Sequence, residues 1–210
     1  MDITWLGHSC FRLKGKETAI ITDPFDKSTG YSLGRPAADV VTVSHSHPAH
    51  SFVQGVTVSR KVIQGPGEYE VAGALITGIM TFHDAQGGAE RGKNTVYVIE
   101  MDGLRLCHLG DLGHIPSSAQ VSDLVPLDIL LIPVGGVATI DAAAAAEAVR
   151  LLGPKVVIPM HYRTPASSPE LDPLDRFLKE MGLREATPEP KLTLSVSPQD
   201  NRVVVLDYRH

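Results

Sequence analysis

A single α/β domain spanning residues 1–210 is the architecture this sequence predicts, and three observations carry it. The first half of the chain is a series of short β-rich runs broken by glycine, proline and aspartate. The second half alternates near-continuous apolar strands with alanine- and leucine-rich helices, the rhythm of a sheet covered by helices. At 210 residues, 43% hydrophobic and 20% charged, the chain is long and apolar enough for one sizeable core, with two small domains as the alternative.

Asp2 to Leu6, Cys10 to Lys14 and Thr18 to Thr22 read as strands from their alternation and β-branched content. Gly15-Lys16-Glu17 supplies a hairpin turn between the second and third. Asp23-Pro24 ends the third, because proline cannot donate to a ladder. Residues 26–37 have loop composition and are too long for a tight turn, so they form either a substrate wall or a plain connector. Ala38 to Val43, Ser59 to Gln64, Glu68 to Val71 and Ala74 to Phe82 follow as strands, punctuated by Gly65-Pro66-Gly67 and Gly73. This half reads as a meander, with no βαβ crossover after Val43, since the next segment is short and mixed. Asn94 to Met101 and Leu104 to His108 form a hairpin across Asp102-Gly103.

Asp128 to Val134 and Val156 to Pro159 are apolar throughout, as strands buried on both faces are. Asp141 caps an alanine-rich helix that runs to Leu152 and stops at Gly153-Pro154. Asp172 is expected to cap a second helix, with Pro173 in its first turn and Gly182 at its end. Residues 190–196 and 202–208 return to strand pattern and suggest a closing hairpin.

The chemistry concentrates in Val41-Thr42-Val43-Ser44-His45-Ser46-His47-Pro48-Ala49-His50. Three of the nine histidines fall here within six residues, directly after a run of β-formers. In an extended segment His45 and His47 project to the same side, so one ion can be gripped by both imidazoles. His50 follows the bend at Pro48 and can turn toward a second position. The plainer reading is a solvated loop that happens to hold histidine. His83 ends a strand and opens into a glycine-rich loop, a good place for chemistry. In that loop Arg91 and Lys93 either meet an anionic substrate group or are solvated tips. Glycines flank Asp111 and let the backbone approach an ion closely, and a carboxylate can bridge two metals. His108 reads as core-facing and structural, and His114 fits no ligand pattern.

A net charge of −5 and a pI of about 6 provide no basic face for nucleic acid. No apolar run approaches the roughly 18 residues needed to cross a bilayer. Met1-Asp2-Ile3-Thr4-Trp5 enters a strand pattern without a signal-peptide profile, so a cytoplasmic location is expected. Cys10 and Cys107 read as buried free thiols, and the absence of a CxxC pair excludes a zinc ribbon. Homo-oligomer formation is left open.

The histidine cluster resembles the His-x-His-x-Asp-His signature of the metallo-β-lactamase superfamily. The resemblance implies an αββα four-layer sandwich of two mixed β-sheets flanked by helices, with one or two metal ions at one edge. Ala49 stands where that family has aspartate, the residue that there binds the second metal and helps orient the attacking water. Trp5-Leu6-Gly7-His8 and Thr22-Asp23-Pro24-Phe25 resemble a bacterial branch related to the UlaG-like lactonases. In that branch the counterpart of Asp23 lies beneath the metal site and holds a ligand histidine. His8 opens toward the same edge, either beside the metal and substrate or as a turn histidine satisfied by backbone.

On the same resemblance His83 is the third ligand of the first metal. Asp111, in His108-Leu109-Gly110-Asp111, matches the aspartate motif. His161, in Pro159-Met160-His161-Tyr162, completes the second metal position. The expected metal ligands are therefore His45, His47, His50, His83, Asp111 and His161, with Asp111 and His8 as the catalytic groups. Imidazoles with one carboxylate suit Zn2+, one ion or two, and Mn2+ or iron also fits such donors. The implied activity is metal-dependent hydrolysis of a small ester, lactone or phosphoester, with one metal only if Ala49 costs the second. The alternatives are a non-catalytic binding or regulatory protein that keeps the fold with a degraded metal site, and a purely structural metal site.

Overall fold

The computed structural model describes residues 1–167 and 170–209. Alternation in the first runs produces an antiparallel meander: β1 (Asp2–Gly7), β2 (Cys10–Lys14) and β3 (Ala19–Thr22). β4 (Ala37–Val43) then pairs parallel to β3, and β5 (Thr57–Gln64) parallel to β4. The expected meander is corrected here. Residues 23–36 and 44–56 supply the dozen or more residues that a parallel return requires. As expected, no α-helix fills these returns; they carry only the 3-10 turns Lys27–Thr29 and Val53–Gly55.

The second sheet resumes a true meander with β6 (Gly67–Val71), β7 (Ala74–Phe82), β8 (Lys93–Met101) and β9 (Leu104–His108). Asp102 and Gly103 turn the last hairpin with φ of 57° and 75°, the left-handed pair such a tight turn demands. β10 (Ile129–Pro133) and β11 (Val156–Met160) add on parallel, both fully buried, as their unbroken apolar runs require. α1 (Ser118–Leu124), not anticipated from the sequence, is nucleated by a capping box between Ser117 and Gln120. α2 (Ala142–Leu152) starts where the Asp141 carboxylate accepts from the Ala144 amide and ends at left-handed Gly153.

α3 (Leu174–Glu180) corrects a second expectation. Pro173 occupies its cap position and makes no side-chain cap bond, while Asp172, one residue too early, instead pairs with Arg176. The expected closing hairpin is also absent. β12 (Leu192–Thr193) pairs with β1, and β13 (Arg202–Val203) with β11, so the two tail segments cover edges of different sheets.

The result is two mixed sheets, in the orders β12-β1-β2-β3-β4-β5 and β13-β11-β10-β9-β8-β7-β6. The period of two sorts their side chains. Phe11, Leu13, Ile20 and Val40 join Trp5, Leu106 and Ile129 in the larger core cluster. Cys10, Ile21, Val41 and Val43 turn to the other face of the first sheet, against Phe25 and Tyr31 of the loop after β3. Each such large apolar side chain contributes roughly 1.5–3 kcal/mol when fully buried. α1 and α3 both pack on α2, which lies against β10 of the second sheet. Tyr97 of β8 crosses between the sheets, its hydroxyl donating to the Val43 carbonyl at 2.9 Å while accepting the Gly65 amide at 3.0 Å. Both cysteines are buried and free, as expected.

Candidate metal centre

The ends of β1, β3, β4, β7, β9 and β11 open onto one edge of the sandwich, and residues that follow β1, β4, β7, β9 and β11 line a cleft of roughly 660 Å³ there. Carboxyl ends of strands are where α/β folds place ligands, because the next residues leave the ladder and are free to face outward. Here the departures are sharp. His8 (φ 53°), Asp23 (φ 39°) and His161 (φ 53°) all hold left-handed backbone, a conformation that costs a non-glycine residue roughly 1–3 kcal/mol. Such strain persists only where the surroundings enforce it.

Asp23 is the first anchor and is fully buried. Its Oδ1 accepts the Ser44 amide at 2.8 Å, and its Oδ2 accepts the Ser44 hydroxyl at 2.5 Å. The same Oδ2 receives His50 Nδ1 at 2.9 Å. That bond fixes the His50 proton on Nδ1 and turns Nε2 to the cleft, the carboxylate–histidine arrangement that orients metal-ligating imidazoles. Ser44, having given its proton to Asp23, accepts from His45 Nδ1 at 3.0 Å. His45 is thereby left with a bare Nε2, which is buried and has no hydrogen-bond partner among the described residues.

Asp111 is the second anchor. Its amide donates to Asn94 Oδ1 at 3.0 Å, and Asn94 in turn donates to the Leu109 carbonyl at 2.9 Å. Gly110 makes this loop feasible: a Cβ there would come within 2.5 Å of Asn94 Oδ1 and 2.6 Å of Ser44 Cβ. The Asp111 carboxylate then stands amid the histidines. Its Oδ2 is 3.1 Å from His50 Nε2, 3.4 Å from His83 Nε2 and 3.6 Å from His161 Nε2.

The donors resolve into two groups. His45, His83 and Asp111 form one, and His8, His50 and His161 the other, each with ligand atoms within 4.8 Å of one another. The orphaned His45 nitrogen and the two sets of converging imidazoles fit a divalent ion well. Five of the six expected ligands are thus gathered. His47 is not among them: it is exposed on the rim of the same cleft, 6.2 Å from His45 between ring centroids, with Nδ1 accepting the Ala49 amide. His8 joins instead, its ring 4.2 Å from that of His161. His108 is buried and bonded to the Ser9 carbonyl at 2.8 Å. His114 lies apart, accepting the Phe82 amide at 3.3 Å.

Without an ion the centre is strongly polarised. Burial opposes protonation of His50, but Asp111 and Asp23 outweigh it and raise the imidazole to about 10. Burial likewise works against the Asp111 carboxylate, yet the charges of His50 and His161 hold it well below the usual range. Burial and then the His50 charge depress His45 to about 4. Burial, then His161 and His50, push His8 far down too. His45 and His8 are therefore neutral at pH 7 and ready to ligate.

Two residues were missed by sequence reasoning. Asn94 positions Asp111, yet it reads from the sequence only as the start of a strand. Asp84, next to His83, accepts four backbone amides of the following loop, from Gln86, Gly88, Glu90 and Arg91, at 2.7–3.0 Å. These contacts, led by the Arg91 amide, hold its carboxyl down at about 2. The loop they shape brings Arg91 to the cleft. The glycine run around Gly87-Gly88 was the available signal.

A sandwich of two mixed sheets with a histidine- and aspartate-lined edge defines the metallo-β-lactamase class of fold. The chain belongs to the beta-lactamase superfamily domain family, whose model matches residues 2–161. It is 30% identical to a UPF0173 metal-dependent hydrolase of Methanoculleus marisnigri, over 95% of this chain and 98% of that one. A second such hydrolase, from Methanoregula boonei, is 29% identical over 78% of this chain and 83% of its own. Among solved structures, a Thermotoga maritima protein named for the Zn-dependent hydrolases of the metallo-beta-lactamase superfamily superposes with a TM-score of 0.82. It is 43% identical, with 98% of this chain and 97% of that chain covered.

Proposed function

We propose that this protein is a metal-dependent hydrolase acting on a small ester, lactone or phosphoester. The observation that carries the reading is the Asp111 carboxylate, with Oδ2 within 3.6 Å of three imidazole nitrogens, beside a buried His45 Nε2 that has no partner among the described residues. A buried donor set of this kind is costly unless something positive fills it. When bound, a divalent ion would supply Lewis acidity and lower the pKa of its water to about 7.

The chain's own residues supply the rest. Asp23 and Ser44 fix the tautomers of His50 and His45. Asp111 and His8 face the cleft where the aspartate missing at Ala49 would have acted, so positioning of the attacking water falls to them. Arg91 at the mouth of the cleft offers a guanidinium for an anionic part of the substrate. The cleft volume of roughly 660 Å³ suits a small metabolite. Its openness supports catalysis over a closed structural metal site. The relatives' names as metal-dependent hydrolases support the same class, and Gly7-His8 with Asp23-Pro24-Phe25 supports the UlaG-like branch. Zinc is the favoured ion on donor chemistry. The buried free thiols support a reducing cytoplasm, and no helix among the described residues is long and apolar enough to cross a membrane.

The test is hydrolysis of p-nitrophenyl acetate, a simple lactone and bis(p-nitrophenyl) phosphate. The protein is assayed as purified, after chelator treatment, and after return of Zn2+ or Mn2+. Turnover of at least one substrate that disappears with the metal and returns with it is expected. Turnover indifferent to metal would overturn the proposal. So would a silent wild type that becomes active only as Ala49→Asp, which favours the binding-protein alternative.

A further inference from the structure

We infer that His8 is a ligand of a second metal ion, bound with His50 and His161, and that it takes over the donor position left empty at Ala49. The inference rests on the metal-dependent reading above and deepens it: His8 helps to place the attacking water by holding the ion, not by a hydrogen bond of its own.

The geometry is the ground for it. His8 Nε2 lies 3.2 Å from His50 Nε2. Two nitrogens bound at about 2.0–2.1 Å to one tetrahedral ion stand roughly 3.3 Å apart. The pair is thus spaced as co-ligands are. A direct hydrogen bond between them is the other explanation of that distance. It requires His8 to donate toward an imidazole that already meets the Asp111 carboxylate at 3.1 Å. The third nitrogen, of His161, closes the group, with all ligand atoms within 4.8 Å. Ala49 lies in the same cleft wall, buried, and presents only a methyl group.

His8 is also held as a ligand must be. Its carbonyl accepts Trp5 Nε1 at 2.9 Å and the His161 amide at 3.2 Å. The first bond closes the end of β1 on itself, the second ties it to the end of β11, and together they sustain a left-handed backbone at φ 53°. Strain of this kind marks a side chain aimed for a purpose. The two ion positions then differ in character. One has two imidazoles and a carboxylate, and the other has three imidazoles with Asp111 alongside. Exchanging a carboxylate for a neutral imidazole leaves the centre one unit more positive than its aspartate-bearing counterpart.

The experiment is metal stoichiometry by elemental analysis and Zn2+ titration of the full chain, in wild type, His8→Asn and the double variant His8→Asn/Ala49→Asp. Asparagine tolerates the left-handed backbone. His8→Gly, which also suits that angle, serves as a second variant, and circular dichroism confirms the fold of each. Two equivalents are expected in wild type and one in His8→Asn. The lost equivalent should be weakened beyond the roughly 10–100-fold that loss of a merely supporting partner costs. Ala49→Asp should restore two equivalents in the His8→Asn background, which a structural role for His8 does not explain. His8→Asn that keeps both ions at wild-type affinity overturns the inference and leaves the proposed function standing. A wild type holding one ion whose affinity is unchanged by His8→Asn does the same. A wild type that binds no ion overturns the proposed function itself.

Discussion

The two sheets deliver histidines to the same cleft by different means. On the first sheet, His45 and His50 are oriented by hydrogen bonds that converge on one buried carboxylate, Asp23, directly or through Ser44. On the second, the Nδ1 atoms of His83 and His161 have no hydrogen-bond partner among the described residues. Those rings are placed instead by the backbone. His161 holds a left-handed φ of 53°, and Gly135 is pressed so close that an added Cβ would fall 2.0 Å from the His161 carbonyl oxygen. Electrostatic orientation on one side and steric orientation on the other imply different weaknesses: the first should respond to charge and pH, the second to volume.

The largest effect should come from removing the electrostatic anchor. Asp23→Ala leaves His50, Ser44 and its amide without their shared acceptor, and loss of one partner of a buried pair costs about 3–5 kcal/mol. Zn2+ affinity should drop by roughly 10–100-fold as well. Chemical denaturation and Zn2+ titration check the two parts. On the steric side, Gly135→Ala should destabilise by about 1–3 kcal/mol through overpacking against the His161 carbonyl. Its effect on metal should concentrate on the group containing His161. A Gly135→Ala protein of wild-type stability and affinity would erase the contrast. Tyr97→Phe, which removes the bridge between sheets, should cost about 1 kcal/mol with little change in metal affinity.

A pH slope confined to the electrostatic side sharpens the contrast further. In metal-free protein His50 has its folded pKa raised to about 10, above the unfolded value near 6.5. Its contribution to stability is therefore fully present below about pH 6.5 and is lost as pH rises through 10. Thermal unfolding of chelator-treated protein between these limits should show the decline, and His50→Gln should flatten it. Saturating Zn2+ should also flatten it, since the ion requires the unprotonated imidazole. A slope that survives in His50→Gln would place its source elsewhere.

Much of this was legible in the residues, and the failures have physical reasons. The Asp102-Gly103 turn, the Asp141 cap and the buried β10 and β11 runs are local signals, and each formed as the sequence indicates. Strand direction is not local. Val40 to Val43 alternates identically in parallel and antiparallel sheets, so the switch to parallel pairing at β3 to β5 was invisible. The two-residue strands β12 and β13 exist only because sheet edges are available to them. Within the site, the spacing of His45, His47 and His50 exposed the cluster but not its geometry. Alternation put His45 and His47 together, whereas the chain bends at Ser46 and sends His47 to the rim. Asn94 and Asp84 act through backbone atoms far apart in sequence or within an irregular loop, and no residue pattern announces such roles.

The central claim is that side chains from both sheets converge to hold metal around Asp111. Anomalous diffraction from crystals of the protein equilibrated with Zn2+, collected at the zinc edge, tests it most directly. Two peaks are expected on either side of the Asp111 carboxylate, one among His45 and His83 and the other among His8, His50 and His161. An edge of the sandwich with no peak, or a peak on surface residues alone, would contradict the account.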